Sequence, residues 1–154
     1  MFHYLSPGGK EIQVESSTYV TKYGPVQTGH LFMGKVTGAL KCHAIAHAVG
    51  PVWNKDNRKK QEVCRNQLHC LIGRILSAVE TKNMSSIAIP AISTGIFQFP
   101  IKQATDIICN AVIDYLENYT DTTIREIHFI DNNLHTVEHF RNSLCEVLDQ
   151  YSEQ

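Results

Sequence analysis

Residues 93–98 read Ser-Thr-Gly-Ile-Phe-Gln, between an apolar run at 86–91 and Pro100. A turn that only reverses the chain is built from polar, flexible residues, because irregular backbone needs water as its hydrogen-bond partner. Here Ile96, Phe97 and Phe99 are spent on it instead. Gly95 permits backbone angles closed to other residues, so successive N–H groups can converge on one point, and a helix starting near Pro100 adds a positive dipole end. Such a site favours an anion. The loop has no lysine, which excludes a Walker A loop, and the chain has no GxGxxG, which excludes the dinucleotide fingerprint. A phosphate held by neutral amides beside Ile96, Phe97 and Phe99 implies a partly apolar ligand that needs no metal.

Other residues with chemical potential have plainer readings. His135 and His139 are four apart and in geometry could hold a metal, as could Cys42, His43 and His47 with Cys64 or Cys70. No spacing matches a zinc pattern, so ordinary surface or core roles are expected, with no metal site. Cys109 and Cys145 fall near apolar stripes, where a thiol acts as a small hydrophobe. Trp53, the pair Phe97 and Phe99 and the pair Phe129 and Phe140 could stack on bases, but there is no basic groove to accompany them. Phe99 is expected in the core. No Cys–His pair stands out as a nucleophile, since such partners meet only in space.

The elements that must position these residues follow from composition and periodicity. With 154 residues, 43% apolar and 19% charged, the chain reads as one domain, 1–154, able to bury close to ~70% of its unfolded surface. The 14 basic and 15 acidic side chains leave a net charge of -1, so no long-range field draws it to nucleic acid or to an acidic membrane. Five cysteines without CxxC spacing read as scattered core thiols in a reducing compartment, hence cytoplasm and nucleus. The start, MFHYLSPGG, has no secretory pattern, and no apolar run reaches the ~20 residues of a membrane span.

Ile12, Ser16, Tyr19, Val20 and Tyr23 repeat at helical spacing over 9–23, closed by Gly24-Pro25. Residues 28–36 and 43–49 read as short strands bracketed by glycines. From 59 to 80, Val63, Leu68, Leu71, Ile72, Ile75, Leu76 and Val79 predict a long amphipathic helix. The apolar run 86–91 predicts a strand covered on both faces. Ala104, Ile107, Ile108, Ala111, Val112, Tyr115 and Leu116 form another helical stripe, 126–130 a last strand, and Val137, Phe140, Leu144, Val147 and Leu148 a terminal helix over 134–151. Alternating elements of these lengths imply right-handed crossovers and a largely parallel sheet with helices on both faces. Ligands in such sheets lie beyond the carboxyl ends of the strands, where the 93–98 loop begins.

Taken together, STGIFQFP at 93–100 closely resembles the signature loop of macrodomains, modules that bind ADP-ribose. His47–Trp53 resembles the strand end before their second helix. GGKEIQVES at 8–16 and KYGPVQTG at 22–29 are similar to the first helix and the turn after it in poly(ADP-ribose) polymerase family members with tandem macrodomains. The resemblance implies a three-layer α/β/α macrodomain-like fold with a mixed, largely parallel sheet. It also implies that the amides of Ser93, Thr94, Gly95, Ile96 and Phe97 wrap the diphosphate and distal ribose, with the Phe97 ring packed on that ribose. Gln98 stands where the family often has glycine, and Asp131 and Asn132 occupy the region that approaches adenosine.

The departures matter as much. The family's two initial strands, its asparagine-bearing segment and its glycine-rich loop have no counterpart before Ser6, so the chain is expected to be an N-terminally truncated macrodomain lacking the first two strands. The missing second strand normally lies between the strands at 86–91 and 43–49. Unpaired rows on those two strands would favour aggregation or completion by another chain or domain. With charge-assisted bonds contributing about 1.5–3 kcal/mol each, losing one or two donors would weaken ligand binding roughly tenfold to several-hundredfold.

Three functions remain open. The first is non-catalytic binding of ADP-ribose, free or attached to proteins. The second is a degenerate module for protein interaction or regulation without ligand. The third, less favoured, is an ADP-ribosyl hydrolase, because the family's usual water-positioning groups lie in the absent segments. No cofactor, no direct nucleic-acid partner and no membrane are expected.

Overall fold

Gly24 ends the first helix by adopting φ 84°, a left-handed angle that glycine reaches without strain, and its amide donates back to the Val20 carbonyl. That helix, α1, spans Glu11–Tyr23 in the computed structural model, which describes residues 9–36 and 38–152. Readings of the first eight residues, including the absent secretory pattern and the start inside a helix, lie outside the described residues. The chain falls into two compact units, Met1–Val49 and Gly50–Gln154.

In the first unit, β1 (His30–Gly34) and β2 (Ile45–Val49) pair antiparallel, from His30 opposite Val49 to Gly34 opposite Ile45. Its rings do the packing. Tyr19 stacks on Phe32 at 3.8 Å between centroids, and Phe32 on His47 at 4.4 Å. Glu15 accepts the Lys35 amide at 2.6 Å through one oxygen, while its other oxygen lies 3.4 Å from His47 Nε2. Gly34 is needed in this crowd, since a Cβ there would lie 2.6 Å from the Glu15 carboxylate and 2.7 Å from His47 Nε2. The expected apolar stripe of α1 is not a core: Val20 is 40% and Tyr23 63% exposed, and no apolar side chain among the unit's described residues is buried.

The second unit holds the fully buried core. The helix α2 (Arg58–Thr81) starts at Asn57, whose side-chain oxygen accepts the Lys60 amide at 3.1 Å. It is followed by β3 (Ser86–Pro90), α3 (Ile101–Asn118), β4 (Glu126–Ile130) and α4 (Leu134–Ser152). The strands β3 and β4 pair parallel in register, and α3 packs against both α2 and α4. Leu68, Leu71, Ile72, Leu76 and Ile108 are wholly buried, each worth about 1.5–3 kcal/mol on removal from water. The described strands form two separate two-stranded sheets, β1–β2 antiparallel and β3–β4 parallel, rather than the one largely parallel sheet expected from the sequence.

Several sequence expectations are corrected here. Val63 is 54% exposed, and the buried stripe of α2 takes Cys64 instead. On α4 the buried face is Thr136, Phe140, Ser143 and Val147, so Val137 and Leu148 point outward. The rotation has a polar cause: Ser143 donates to the Asp106 carboxylate at 2.6 Å and lies 2.9 Å from the Thr105 hydroxyl, satisfying both buried hydroxyls. The strand β3 is covered on one face only, because Ser86, Ala88 and Pro90 are exposed while Ile89 is buried. Its outward residues are small, so little apolar area is left in water. Of the cysteines only Cys64 and Cys109 are buried, and Cys42, Cys70 and Cys145 are exposed on outward positions. Among the described residues no helix is long and apolar enough to cross a membrane.

Candidate functional site

Parallel pairing sets Pro90 opposite Ile130, so the chain leaves β3 and β4 at the same end of the sheet. Residues 91–99 and 131–133 are thereby brought to one edge, the carboxyl end where open α/β sheets bind ligands. A third segment closes on the loop. The Trp53 amide donates to the Phe97 carbonyl at 2.9 Å, and Gly50 lies against Ser93 and Ile92, where a Cβ would meet Ile92 Cγ2 at 2.7 Å and clash harder with Ser93 Oγ. Sequence reading gave Gly50 no such role, and its place at the end of a strand before a proline was the only signal available.

Within the loop, some amides are turned inward. Thr94 donates its amide (3.3 Å) and its hydroxyl (2.8 Å) to the Ala91 carbonyl. Gln98 donates to Gly95 at 2.9 Å and Phe99 to Ser93 at 3.0 Å, which knots the loop into a closed turn. Others are left over: the N–H groups of Ser93, Gly95, Ile96 and Phe97 have no acceptor among the described residues. The Ser93 hydroxyl oxygen is buried and likewise unpartnered. These N–H groups are free to donate to solvent or to a ligand. The helix α3 starts directly behind them at Pro100 with no side-chain cap, adding its partial positive charge.

The backbone strain sits elsewhere than the sequence implied. Ser93 takes φ 70° and Gln98 φ 55°, whereas Gly95 is not in the left-handed region. Neither φ nor packing requires glycine at 95, since a Cβ there would meet nothing within 4 Å. Ile96 is 91% exposed and covers nothing, Phe97 is half-buried, and Phe99 is in the core at 1% exposure, 4.6 Å from the Trp53 ring. The guanidinium of Arg65 lies 5.3 Å from the Trp53 ring centroid and donates to Gln103 in the first turn of α3. This cation beside the loop was not anticipated.

At the other strand end, Asp131 accepts the Asn133 amide at 2.8 Å and Asn133 accepts the His135 amide at 2.9 Å. These two turns launch α4. Asn132 between them is exposed. Beside the loop, Arg65 is also paired with the Glu62 carboxylate at 3.2 Å. Among the described residues no group of three or more His, Cys, Asp or Glu is gathered for a metal ion.

Comparison with known proteins gives this geometry a context. The family model described as Macro domain matches residues 5–108. The chain is 36% identical over 149 residues to the mouse protein mono-ADP-ribosyltransferase PARP9, covering 94% of this chain and 16% of that protein. It superimposes on a variant of the Oceanobacillus iheyensis macrodomain with ADPR at TM-score 0.81 and 22% identity, over 93% of this chain and 74% of that one. On the Trypanosoma brucei macrodomain in complex with ADP-ribose the TM-score is 0.67 at 21% identity, over 79% and 47% of the two chains. The chain spans 21% and 16% of the length of the first two curated relatives it matches.

Proposed function

This chain belongs to the macro domain family and has its α/β fold, and from that premise we propose that it binds ADP-ribose, free or attached to proteins, without catalysing a reaction on it. The observation that carries the reading is the set of four unspent N–H groups at Ser93, Gly95, Ile96 and Phe97, in front of the uncapped start of α3. In this reading those amides take the diphosphate, the knotted Thr94 and Gln98 hold the loop in shape, and the Phe97 ring packs on the distal ribose. Asp131 and Asn132 flank the adenosine part from the neighbouring strand end. Solved macrodomains in complex with ADP-ribose support the ligand class. Asp131 is the one titratable side chain among the eight proposed ligand residues, and in this reading it stands at the adenosine end, whereas hydrolysis needs a base that holds water at the distal ribose.

Isothermal titration of ADP-ribose tests this. Wild-type protein should bind one equivalent. Because a side chain at 95 meets only open space, Gly95→Glu should keep the fold and place a carboxylate where the diphosphate sits. Loss of two charge-assisted bonds predicts affinity weakened about a hundredfold or more. No heat with the wild-type chain, or equal affinity in the variant, overturns the reading.

A second reading, a module that engages proteins without the nucleotide, has one observation in its favour. On the open side of the β3–β4 sheet, Ala88, Pro90 and Ile130 are exposed, and β3 is paired along one edge only among the described residues. A chain or domain that adds a strand there would pair the free backbone groups of β3. Tight binding of ADP-ribose by the chain alone removes this alternative.

A further inference from the structure

We propose that His135 and His139, on successive turns of α4, form a binding site for a borderline divalent metal ion such as Zn²⁺ or Ni²⁺. The sequence gives only a spacing of four, which most exposed histidine pairs share without consequence. The structure adds a distance: the two Nε2 atoms lie 3.2 Å apart, with ring centroids 4.5 Å apart and planes at 78°. Two imidazole nitrogens each about 2.0–2.1 Å from one metal ion are separated by roughly 3.0 Å at a right angle and by about 3.4 Å at a tetrahedral angle. The observed separation lies between these values. The hydrogen bond between the rings thus holds the two nitrogens at a separation that matches the bite of a chelate.

The support beneath the pair is rigid. Thr136 and Phe140, the residues that follow each histidine, are buried at 4% and 3% exposure, and Phe140 stacks on Phe129 of β4 at 4.9 Å. The backbone of both turns is thus fixed. His135 is exposed and His139 half-buried, so a hydrated ion has access. Without metal, one Nε2–H donates to the other Nε2. Binding requires both rings to carry their proton on Nδ1, a change of tautomer in one ring with a small rotation and no net loss of a proton from the neutral pair. Imidazole suits Zn²⁺, Ni²⁺ and Cu²⁺ and is a poor ligand for Mg²⁺ and Ca²⁺, which prefer oxygen. Two protein ligands leave the remaining positions to water or to a donor from another molecule.

The test is calorimetric titration of NiCl₂ into the full 154-residue chain, under reducing conditions, with MgCl₂ as the parallel probe. One equivalent of Ni²⁺ should bind and Mg²⁺ should not. Since a chelate gains over a single ligand through effective concentration, His135→Gln and His139→Gln should each weaken Ni²⁺ binding on the order of a hundredfold. Far-UV circular dichroism of both variants should match the wild type, because both changes lie off the buried face. Ni²⁺ affinity unchanged in either variant assigns the ion to another histidine or to an exposed thiol and overturns the proposal, as does the absence of saturable binding at micromolar Ni²⁺.

Discussion

At the scale of single residues, two positions show how backbone geometry decides what a side chain is for. Gln98 adopts φ 55° in the knotted loop, the left-handed region that costs a non-glycine residue on the order of 1 kcal/mol or more. Cys109 shows the opposite case, a side chain set by its surroundings. Burial, with the charge of Asp106 added, pushes its thiol from 9.0 up to about 12. The unfolded thiol ionises first, so the unfolded state binds fewer protons between those values and stability falls as pH rises from about 9 towards 12. Urea denaturation across that range should show a loss of at most about 4 kcal/mol at its top end. Cys109→Ala should remove that part of the slope, and an unchanged slope would show that other groups carry it.

At the scale of elements, the rotation of α4 gives a direct contrast between two apolar residues on one helix. Phe140 is 3% exposed and Val137 is 36% exposed. Phe140→Ala should cost about 3–5 kcal/mol of unfolding free energy by denaturant titration. Val137→Ala should cost under about 1 kcal/mol. Equal costs would mean that the buried face is the one periodicity implies. The sequence showed each helix and each strand, since Leu68, Leu71, Ile72 and Val79 or Ala104, Ile108 and Val112 repeat as helices must. It did not show which flank of α4 turns inward. Ser143 is polar, and its burial depends on Asp106 and Thr105 across the helix interface, partners no local pattern contains. The loop was legible as a turn between β3 and α3 for a similar reason in reverse, because its signal is local. Its strained residues were not, because Ser93 and Gln98 carry no marker of left-handed backbone, and Gly95, which does, is not in the left-handed region.

At the scale of the whole molecule, burial is unevenly distributed between the two units. All the buried apolar side chains from Cys64 to Val147 belong to Gly50–Gln154, whereas Met1–Val49 relies on the Tyr19, Phe32 and His47 rings and the Glu15 carboxylate. Amides opening with few buried apolar contacts exchange through low-energy local fluctuations. Hydrogen exchange should therefore find β1 and β2 protected far less than the central turns of α2 and α3. Equal protection would show that the first unit opens only with the second. The same distribution governs what bulk unfolding experiments see. Heat-capacity increments and denaturant m-values scale with the surface newly exposed to solvent. A single smooth melting curve for this chain is accordingly a report on the three-helix unit, and the smaller unit can loosen beneath it almost without a calorimetric trace.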